Sequence, residues 1–222
     1  MDSTLTYEKK HQSYYEHERQ EILALVPKEA KCILDVGCAA GNLGKNLKDL
    51  NPEAKLMGIE IQQGITLPNI YEQLFIGDVE KVMVDMHDKN LCFDCIIFAD
   101  VLEHLNDVWS VLDTSSKMLN PNGIIIASLP NIRNITILKK LVLNGIWEYE
   151  KEGIMDKTHL RFFTKKAVLR MFNNYGLEVQ SLQYKEYLPT DRLKRFIAII
   201  IKKIKKFEDI FAFQLIVVAK KK

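Results

Sequence analysis

A short stretch of the chain combines acidic and small residues in a pattern that suits a binding loop. It reads Asp35-Val-Gly37-Cys-Ala-Ala-Gly41 and follows an apolar run. Small residues let a ligand approach the backbone closely, and ligands of open α/β sheets bind at the carboxyl ends of the strands. Asp35 stands where it can face a cationic or amine-bearing ligand. A dinucleotide fingerprint would need glycine where Ala39 and Asn42 stand, so the loop does not favour a nicotinamide cofactor.

Two more acidic residues end the next two predicted strands. Glu60 ends the second strand, where its carboxylate can accept both hydroxyls of a ribose. Asp78 ends the third strand, where it can receive an adenine amino group. We therefore expect Asp35, Glu60 and Asp78 to face one ligand at the carboxyl edge of a sheet.

A second group of chemically active residues follows the fourth predicted strand, in Asp100-Val-Leu-Glu103-His104. On a helix these three polar side chains would share one face. Two carboxylates and an imidazole can bind a divalent ion or move a proton, and an aliphatic hydroxyl needs such help to become a nucleophile. The same spacing is that of a helix capping box, which requires no chemistry. The residues alone leave both interpretations open.

A sheet must position these residues, and after Lys31 the chain alternates short β-branched runs with longer helical stretches. The runs predict strands at 32–38, 55–61, 73–79, 93–100, 123–130, 177–185 and 213–221. Helices are predicted at 41–50, 101–119, 134–143 and 164–175, and a turn at 120–123. The central strands are continuously apolar, which is typical of strands buried on both faces. This alternation predicts an α/β fold with a doubly wound, mostly parallel sheet.

The composition is that of an ordinary globular protein. The 222 residues carry a formal net charge of +2, which gives no strong nucleic-acid-binding signal. The polar N-terminal stretch does not resemble a signal peptide, and no apolar run is long enough to span a membrane, so we expect a cytoplasmic protein. The four cysteines are expected to be reduced and buried, although Cys92 and Cys95 have the spacing of a metal or redox pair.

The loop at 35–41 resembles the first motif of the class I S-adenosylmethionine-dependent methyltransferases, (D/E)-x-G-x-G-x-G, with Ala39 in place of the middle glycine. The resemblance continues through Glu60, Gly77-Asp78-Val79 and Phe93-Asp94. It implies a single methyltransferase domain over 1–222, with a Rossmann-like sheet of seven strands whose last strand is antiparallel. It also implies S-adenosylmethionine as the cofactor, bound by Tyr15, Arg19, Asp35, Gly37, Cys38, Gly41, Glu60, Ile61, Asp78, Val79 and Ala99.

Tyr15 and Arg19 belong to a predicted cap helix at about 7–27. This segment looks like the N-terminal cap of methyltransferases associated with glycan and polysaccharide biosynthesis. The resemblance implies that Arg19 closes over the carboxylate of the donor, to which a guanidinium can bind in a bidentate manner. A plain surface helix is the alternative interpretation.

The segment from Asp156 to Thr164 resembles a stretch of the ubiquinone-pathway O-methyltransferases and of the small-RNA 3′-terminal 2′-O-methyltransferases. In those families an acidic-x-x-Glu-His cluster and a downstream histidine hold a magnesium-type ion. The resemblance implies Mg²⁺ bound here by the four residues Asp100, Glu103, His104 and His159. The alternative is that His159 acts alone as the general base, with Asp156 or Arg161 shaping the pocket.

Asn131 and Arg133 follow the fifth predicted strand, in a loop that lines the acceptor pocket in the family. Both offer hydrogen bonds to a sugar or a phosphate. For Asn131, a turn before a helix capped by Asn134 is an equally good interpretation.

A basic amphipathic helix is predicted at about 191–211, before the last strand. Its apolar residues recur at helical spacing, with basic residues between them; they are Leu193, Phe196, Ile197, Ile200, Ile201, Ile204 and Phe207. A membrane-surface helix at 192–207 that brings the enzyme to a lipid-linked glycan is one interpretation. We favour the other, in which the apolar stripe packs on the domain and the basic face is solvated.

The sequence thus predicts methyl transfer from S-adenosylmethionine to a small, hydroxyl-bearing acceptor, a saccharide or glycan precursor. A quinone-type acceptor would require an apolar pocket, and an RNA acceptor would bind in a salt-sensitive manner. From a different class of function, a non-catalytic donor-binding or membrane-associated partner protein would bind the donor without turnover.

Overall fold

The computed structural model describes residues 19–62, 70–186 and 191–222. Seven strands lie in these ranges: β1 Cys32–Val36, β2 Lys55–Glu60, β3 Gln73–Ile76, β4 Phe93–Ala99, β5 Leu119–Pro130, β6 Leu177–Glu186 and β7 Ala212–Lys221. The α-helices there are α1 Gln20–Leu23, α2 Asn42–Leu50, α3 Val79–Asp88, α4 Val108–Lys117, α5 Ile135–Asn144, α6 Lys165–Asn174 and α7 Arg192–Lys203. Two 3-10 turns span Leu102–His104 and Lys205–Phe207.

The seven strands form one sheet in the order β3-β2-β1-β4-β5-β7-β6. The first five pair in parallel, whereas β7 is antiparallel to both β5 and β6. The predicted mostly parallel sheet with an antiparallel last strand is confirmed. The strand order reverses between β1 and β4, which in such sheets opens a crevice at the carboxyl ends of the strands.

Both faces of the sheet are covered, as the apolar strands predict. Leu34, Ile96 and Phe98 pack in one buried cluster, together with apolar side chains of α3, α4 and α6. Their strand neighbours Ile33 and Ile97 belong to a second cluster with side chains of α1 and α2. Side chains alternate between faces along a strand, so helices on both sides explain why these runs are apolar throughout.

Helix α3 was not among the predicted helices. The predicted strand at 73–79 ends at Ile76, and Asp78 caps α3 by accepting a hydrogen bond of 2.9 Å from the backbone N–H of Glu80. Val79, Met83 and Met86 are its buried residues, at the spacing of an amphipathic helix.

Two predicted boundaries were also wrong. The helix expected at 101–119 is a 3-10 turn at Leu102–His104 followed by the separate helix α4. The turn expected at 120–123 lies inside β5, because Phe93 pairs with Leu119 while Cys95 pairs with Ile124. The extra residues are accommodated as an irregularity of the strand, so the turn signal marked a bulge.

The two predicted terminal helices are described in part. Of the cap helix at 7–27, the structure describes the part from Arg19, in which α1 spans Gln20–Leu23. The basic helix is α7, followed by the turn Lys205–Phe207. Among the described residues, no helix has both the length and the apolar character needed to cross a membrane. The assignment of 1–222 to a single domain stays a prediction.

The cysteines are free, as expected, but they are not all buried. Cys38 and Cys95 are buried, and burial raises the pKa of both thiols. Cys92 is exposed, so the expectation of burial was wrong there. The metal-type cluster found among the described residues contains no cysteine.

Candidate active site

A cleft of about 570 Å³ opens at the carboxyl ends of β1, β2 and β4. Seven of the predicted donor-binding residues in the sheet and its loops line it: Asp35, Gly37, Cys38, Glu60, Ile61, Asp78 and Val79. Arg19 and Ala99 line it as well. Gly41 is buried at the N-cap of α2 and is not part of the lining. Tyr15 lies outside the described residues.

The loop after β1 adopts a glycine-type backbone at every second residue. The φ angles are +71° at Gly37, +45° at Ala39 and +77° at Gly41. A Cβ atom on Gly37 would lie 2.6 Å from Cγ2 of Val101, which real Cβ atoms do not tolerate. Gly37 is therefore required by both its backbone and its neighbour, whereas Ala39 keeps the loop conformation at the cost of a strained φ.

Glu60 holds this loop against the end of β2. Its buried carboxylate accepts hydrogen bonds from the backbone N–H of Ala39 at 2.8 Å, of Ile61 at 2.8 Å and of Gln62 at 3.1 Å. A carboxylate offers about four acceptor positions, so it can still accept a hydroxyl from the cleft.

Asp35 is an almost completely buried carboxylate, with an exposed fraction of 1%. The hydroxyl of Tyr71 donates a hydrogen bond of 2.6 Å to its Oδ2. Burial raises the pKa of Asp35 to about 6; the Tyr71 hydrogen bond acts against this rise, and the nearby Glu60 adds to it. Tyr71 was not predicted as a site residue, because no motif marks the loop before β3.

Arg19 and Asp100 form an ion pair in which Nη2 lies 2.6 Å from Oδ2. The other carboxylate oxygen of Asp100 accepts hydrogen bonds from Ser128 Oγ at 2.8 Å and Gln214 Nε2 at 2.6 Å. Asp100 has a φ of +58°, so it is not on a helical face with Glu103 and His104 as expected. These hydrogen bonds fix the carboxylate of Asp100 in position, and the carboxylate in turn holds Arg19.

A second cavity of about 440 Å³ lies beyond this ion pair. Eight of its twelve lining residues have charged or polar side chains: Arg19, Asp100, Glu103, Glu152, Asp156, His159, Lys185 and Gln214. The other four are Pro130, Gly153, Ile154 and Phe213. Arg19 and Asp100 line both cavities, so the ion pair stands at their boundary.

Two histidines and a carboxylate meet beside that boundary. One ligand atom from each of Glu103, His104 and His159 lies within 4.8 Å of the others. The ring centroids of His104 and His159 are 4.8 Å apart, and Nε2 of His159 is 3.9 Å from Oε1 of Glu103. The loop carrying His159 is attached here because the N–H groups of Leu160 and Arg161 both donate to the carbonyl of Glu103.

The backbone sets the tautomer of both rings. Nδ1 of His104 lies 3.0 Å from the carbonyl oxygen of Thr158, and Nδ1 of His159 lies 3.0 Å from that of Ile154. A carbonyl oxygen accepts only, so Nδ1 must carry the proton in each ring. In the neutral ring the lone pair is then on Nε2, which can take a proton or a metal ion.

The four residues predicted as metal ligands do not all come together. Asp100 is absent from the cluster formed by the other three, because it is bound to Arg19. Asp156 is buried and lines the second cavity, where its Oδ1 accepts from the N–H of Thr158 at 2.8 Å and from its hydroxyl at 2.7 Å. Asp156 thus shapes the loop that positions His159.

Three of the predicted site residues, Arg161, Asn131 and Arg133, line neither of the two cavities. Arg161 donates to the carbonyls of Leu105 and Asn106 and stacks on Trp109, with 4.1 Å from its Cζ to the ring centroid. Arg161 itself lines neither cavity, but Leu105 and Asn106 line the donor-side cleft, so its role in shaping the pocket stays a prediction.

For Asn131 and Arg133 the structure provides partners other than an acceptor. Asn131 is fully buried and donates to the carbonyls of Asp209 and Ala212, and Nη1 of Arg133 lies 2.7 Å from Oδ1 of Asp209. Both fasten the chain before β7 to the end of β5. The alternative interpretation holds here, since the carboxamide of Asn134 caps α5.

Other residues of the site carried no signal in the sequence. Lys157, Thr158 and Leu160 line the donor-side cleft, while Lys185 and Gln214 line the second cavity. They come from a long irregular loop and from β6 and β7, whose side chains reach the site only once the sheet is assembled.

Comparison with known proteins gives a consistent result. A family model described as a methyltransferase domain matches residues 7–182. The ubiquinone biosynthesis O-methyltransferase of Azorhizobium caulinodans is 31% identical over 176 residues, which are 75% of this chain and 66% of that enzyme. The enzyme of the same description from Thiobacillus denitrificans is 26% identical over 76% of this chain and 74% of its own length.

Solved structures share the fold. A SAM-dependent methyltransferase from Archaeoglobus fulgidus has a TM-score of 0.64 at 16% identity, covering 99% of this chain and 100% of its own. The magnesium protoporphyrin IX methyltransferase of Synechocystis, solved with SAH bound, has a TM-score of 0.60 at 14% identity, covering 94% of this chain and 84% of its own.

The chain belongs to the methyltransferase domain family. The assignment to the class I S-adenosylmethionine-dependent methyltransferases, with that compound as the methyl donor, is confirmed.

Proposed function

We propose that this chain transfers a methyl group from S-adenosylmethionine, bound in the cleft at the ends of β1 and β2, to a hydroxyl of a small acceptor bound in the second cavity. One observation carries the proposal. His104 lines the first cavity and His159 lines the second, and their rings are in edge contact at 4.8 Å. The groups able to handle the proton therefore lie where the two substrates would meet.

The donor fits the first cleft by charge and hydrogen bonding. The ionised carboxylate of Asp35 faces the cationic amino group of the donor, and Glu60 accepts a ribose hydroxyl with its remaining acceptor position. Asp78 is exposed at the far end of the lining, where the adenine would lie. Arg19 is the cation that meets the carboxylate of the donor.

The acceptor hydroxyl must lose a proton as it attacks the methyl group, and a base with a pKa near neutrality is best suited to take it. His159 is buried in the second cavity with its Nδ1 on the carbonyl of Ile154, so Nε2 is the basic nitrogen. The carboxylate of Glu103, 3.9 Å from Nε2, stabilises the imidazolium once it forms.

The same three side chains fit a divalent metal ion. Two imidazole nitrogens and one carboxylate with protein-fixed tautomers are a donor set for Zn²⁺, Mn²⁺ or Fe²⁺. Mg²⁺ prefers oxygen ligands, and the carboxylate of Asp100 that would have supplied one is bound to Arg19. A bound ion would act as a Lewis acid that lowers the pKa of the acceptor hydroxyl.

The charged and polar side chains that line the second cavity, eight of its twelve lining residues, support a polar acceptor. Pro130, Ile154 and Phe213 are its apolar members, and most of the others are charged or polar. A saccharide or glycan precursor, including a lipid-linked one, presents several hydroxyls to such a surface.

A second candidate acceptor is a catechol-type quinone precursor. It is favoured by the similarity to ubiquinone biosynthesis O-methyltransferases, with 31% identity to that of Azorhizobium caulinodans. A quinone head group is planar and small, and two neighbouring hydroxyls could approach the His104–His159 pair. An isoprenoid tail would have to remain outside the polar cavity.

Calorimetry with S-adenosylhomocysteine tests the donor site, and turnover of an acceptor tests the catalytic roles of His104 and His159. We expect micromolar affinity, about −8 kcal/mol, and none for NADH. His159→Ala and His104→Ala should keep that affinity and lose roughly 100-fold or more in turnover of a hydroxyl acceptor. His87→Ala, a histidine on the exposed side of α3, is the matched control and should be unchanged.

A further measurement tests whether the three side chains hold a metal ion. Manganese bound to the chain can be counted by electron paramagnetic resonance without any acceptor, and the two histidine variants should lose it. If the variants bind donor and turn over acceptor like the unaltered chain, the catalytic role is wrong. If the unaltered chain binds donor but methylates neither saccharides nor catechols, a non-catalytic donor-binding protein becomes the better proposal.

A further inference from the structure

Helix α7 has one apolar face that packs on the protein. Ala198 and Ile201 lie in a cluster with Ile135 and Leu138 of α5. This inward face is what the sequence led us to expect of the helix as a whole.

A second apolar stripe of the same helix and its continuation points outward. The exposed fractions are 68% for Leu193, 61% for Phe196, 48% for Ile200 and 51% for Ile204. These positions are three to four residues apart and fall on one stripe at 100° per residue. The expectation that the apolar stripe packs on the domain was therefore wrong for these four side chains.

The outward stripe is surrounded by positive charge. Among the side chains described in this segment, five exposed basic ones border the stripe or follow it: Arg192, Arg195, Lys203, Lys205 and Lys206. In this segment the acids are Asp191 and Glu208 at its two ends, and Glu208 is paired with Lys165. A large apolar side chain flanked by cations on a helix is the pattern of a helix that lies in a membrane interface.

The helix that packs beside α7 adds apolar surface. The last turn of α5 exposes Leu141 to 41%, Val142 to 74% and Leu143 to 74%. Exposed apolar side chains in such number are unusual for a surface that faces only water.

We propose that the outward stripe of α7 docks on an anionic lipid bilayer. The apolar side chains would enter the acyl boundary and the basic side chains would contact the lipid phosphates. A second copy of the chain fits this surface less well, because apposed stripes would bring the two sets of cations together. The proposal is independent of methyl transfer and can fail or hold without it.

Cosedimentation of the full chain with vesicles tests the proposal. We expect binding to vesicles that contain phosphatidylglycerol and far less to vesicles of phosphatidylcholine alone, with weakening as salt is raised. The double substitution Phe196→Asp, Ile200→Asp should reduce binding roughly tenfold or more, because it removes two apolar side chains and adds repulsion. Leu50→Asp on α2, where the residue is 66% exposed, is the matched control and should bind as before.

The proposal is overturned if the unaltered chain does not bind the anionic vesicles, or if the double variant binds them as well as the Leu50→Asp control does. Size-exclusion chromatography of the same proteins tests the alternative that a second copy of the chain binds this stripe. If the unaltered chain is a dimer that does not bind vesicles, and the double variant is a monomer, the stripe is a contact between two copies of the chain. Thermal unfolding shows whether both variants remain folded.

Discussion

Arg19 and Asp100 form an ion pair of 2.6 Å that stands at the boundary between the two cavities. Both side chains are largely buried, with exposed fractions of 12% and 9%. Ser128 and Gln214 hold the second oxygen of Asp100, so the carboxylate has a fixed position to which Arg19 is drawn. The pair connects the segment before β1 with the ends of β4, β5 and β7, which no local pattern in the sequence could have related.

Removal of one member of this pair should be more harmful than removal of both. Arg19→Ala leaves a buried carboxylate without its main cation and should reduce the free energy of unfolding by about 3 kcal/mol. The double variant Arg19→Ala, Asp100→Asn should be more stable than Arg19→Ala alone, because the buried charge is gone. Urea unfolding at neutral pH of four proteins, the unaltered chain, Arg19→Ala, Asp100→Asn and the double variant, completes the cycle, and simple additivity of the two substitutions would contradict the assignment.

Donor affinity should rise with pH through the titration of Asp35. Because burial raises the pKa of this carboxyl to about 6, it is largely protonated and neutral below that value and no longer attracts the ammonium group that the donor shares with S-adenosylhomocysteine. Calorimetry with S-adenosylhomocysteine between about pH 5 and pH 8 should show tighter binding at the higher pH, with proton release near pH 6. The Asp35→Asn variant should bind S-adenosylhomocysteine weakly at every pH. If its affinity still rises with pH as in the unaltered chain, a group other than Asp35 causes the pH dependence.

The same carboxyl should affect stability in the opposite direction. Its pKa is higher in the folded chain than in the unfolded chain, so the folded state holds the extra proton between about pH 4 and pH 6. Its contribution to the free energy of unfolding is therefore largest at low pH and declines as pH rises through this window. Urea unfolding of the unaltered chain and of Asp35→Asn should diverge across this range, and parallel curves would count against the raised pKa.

Ala39→Gly should stabilise the chain and leave donor binding intact. Ala39 has a φ of +45°, a conformation that costs an L-residue about 1 kcal/mol and glycine almost nothing. Part of that gain is offset by the greater freedom of glycine in the unfolded chain. Thermal unfolding should show a rise of about 1 to 2 °C, whereas Ala40→Gly, the adjacent control without a positive φ, should show a fall.

Asn131→Ala should reduce stability without changing acceptor kinetics. The buried carboxamide donates to the carbonyls of Asp209 and Ala212, and its loss leaves both buried acceptors without this donor. We expect a decrease of about 2 kcal/mol in the free energy of unfolding and an unchanged KM for the acceptor. A raised KM with normal stability would restore the acceptor-binding role that the sequence suggested.

Local patterns in the sequence were enough to predict the fold class and many of the residues that line the donor-side cleft. Strands that are buried on both faces must be apolar throughout, so their positions and the helices between them could be read from local pattern. The loop from Asp35 to Gly41 and the acid at Glu60 are local too, since each follows directly from the end of one strand. A motif confined to one strand and its loop can therefore be interpreted without knowledge of the tertiary contacts.

The roles of the other polar residues depend on pairs that are far apart in the chain, so the packing of the sheet was needed to assign them. Asp100 became an anchor for Arg19 instead of a metal ligand, and Asn131 became a fastening for the segment before β7. The same holds for α7, whose apolar arc is wide enough to pack inward and point outward at once. A side chain's type and spacing state what it can bind, but which of several competing partners it meets is set by the packing of the whole sheet.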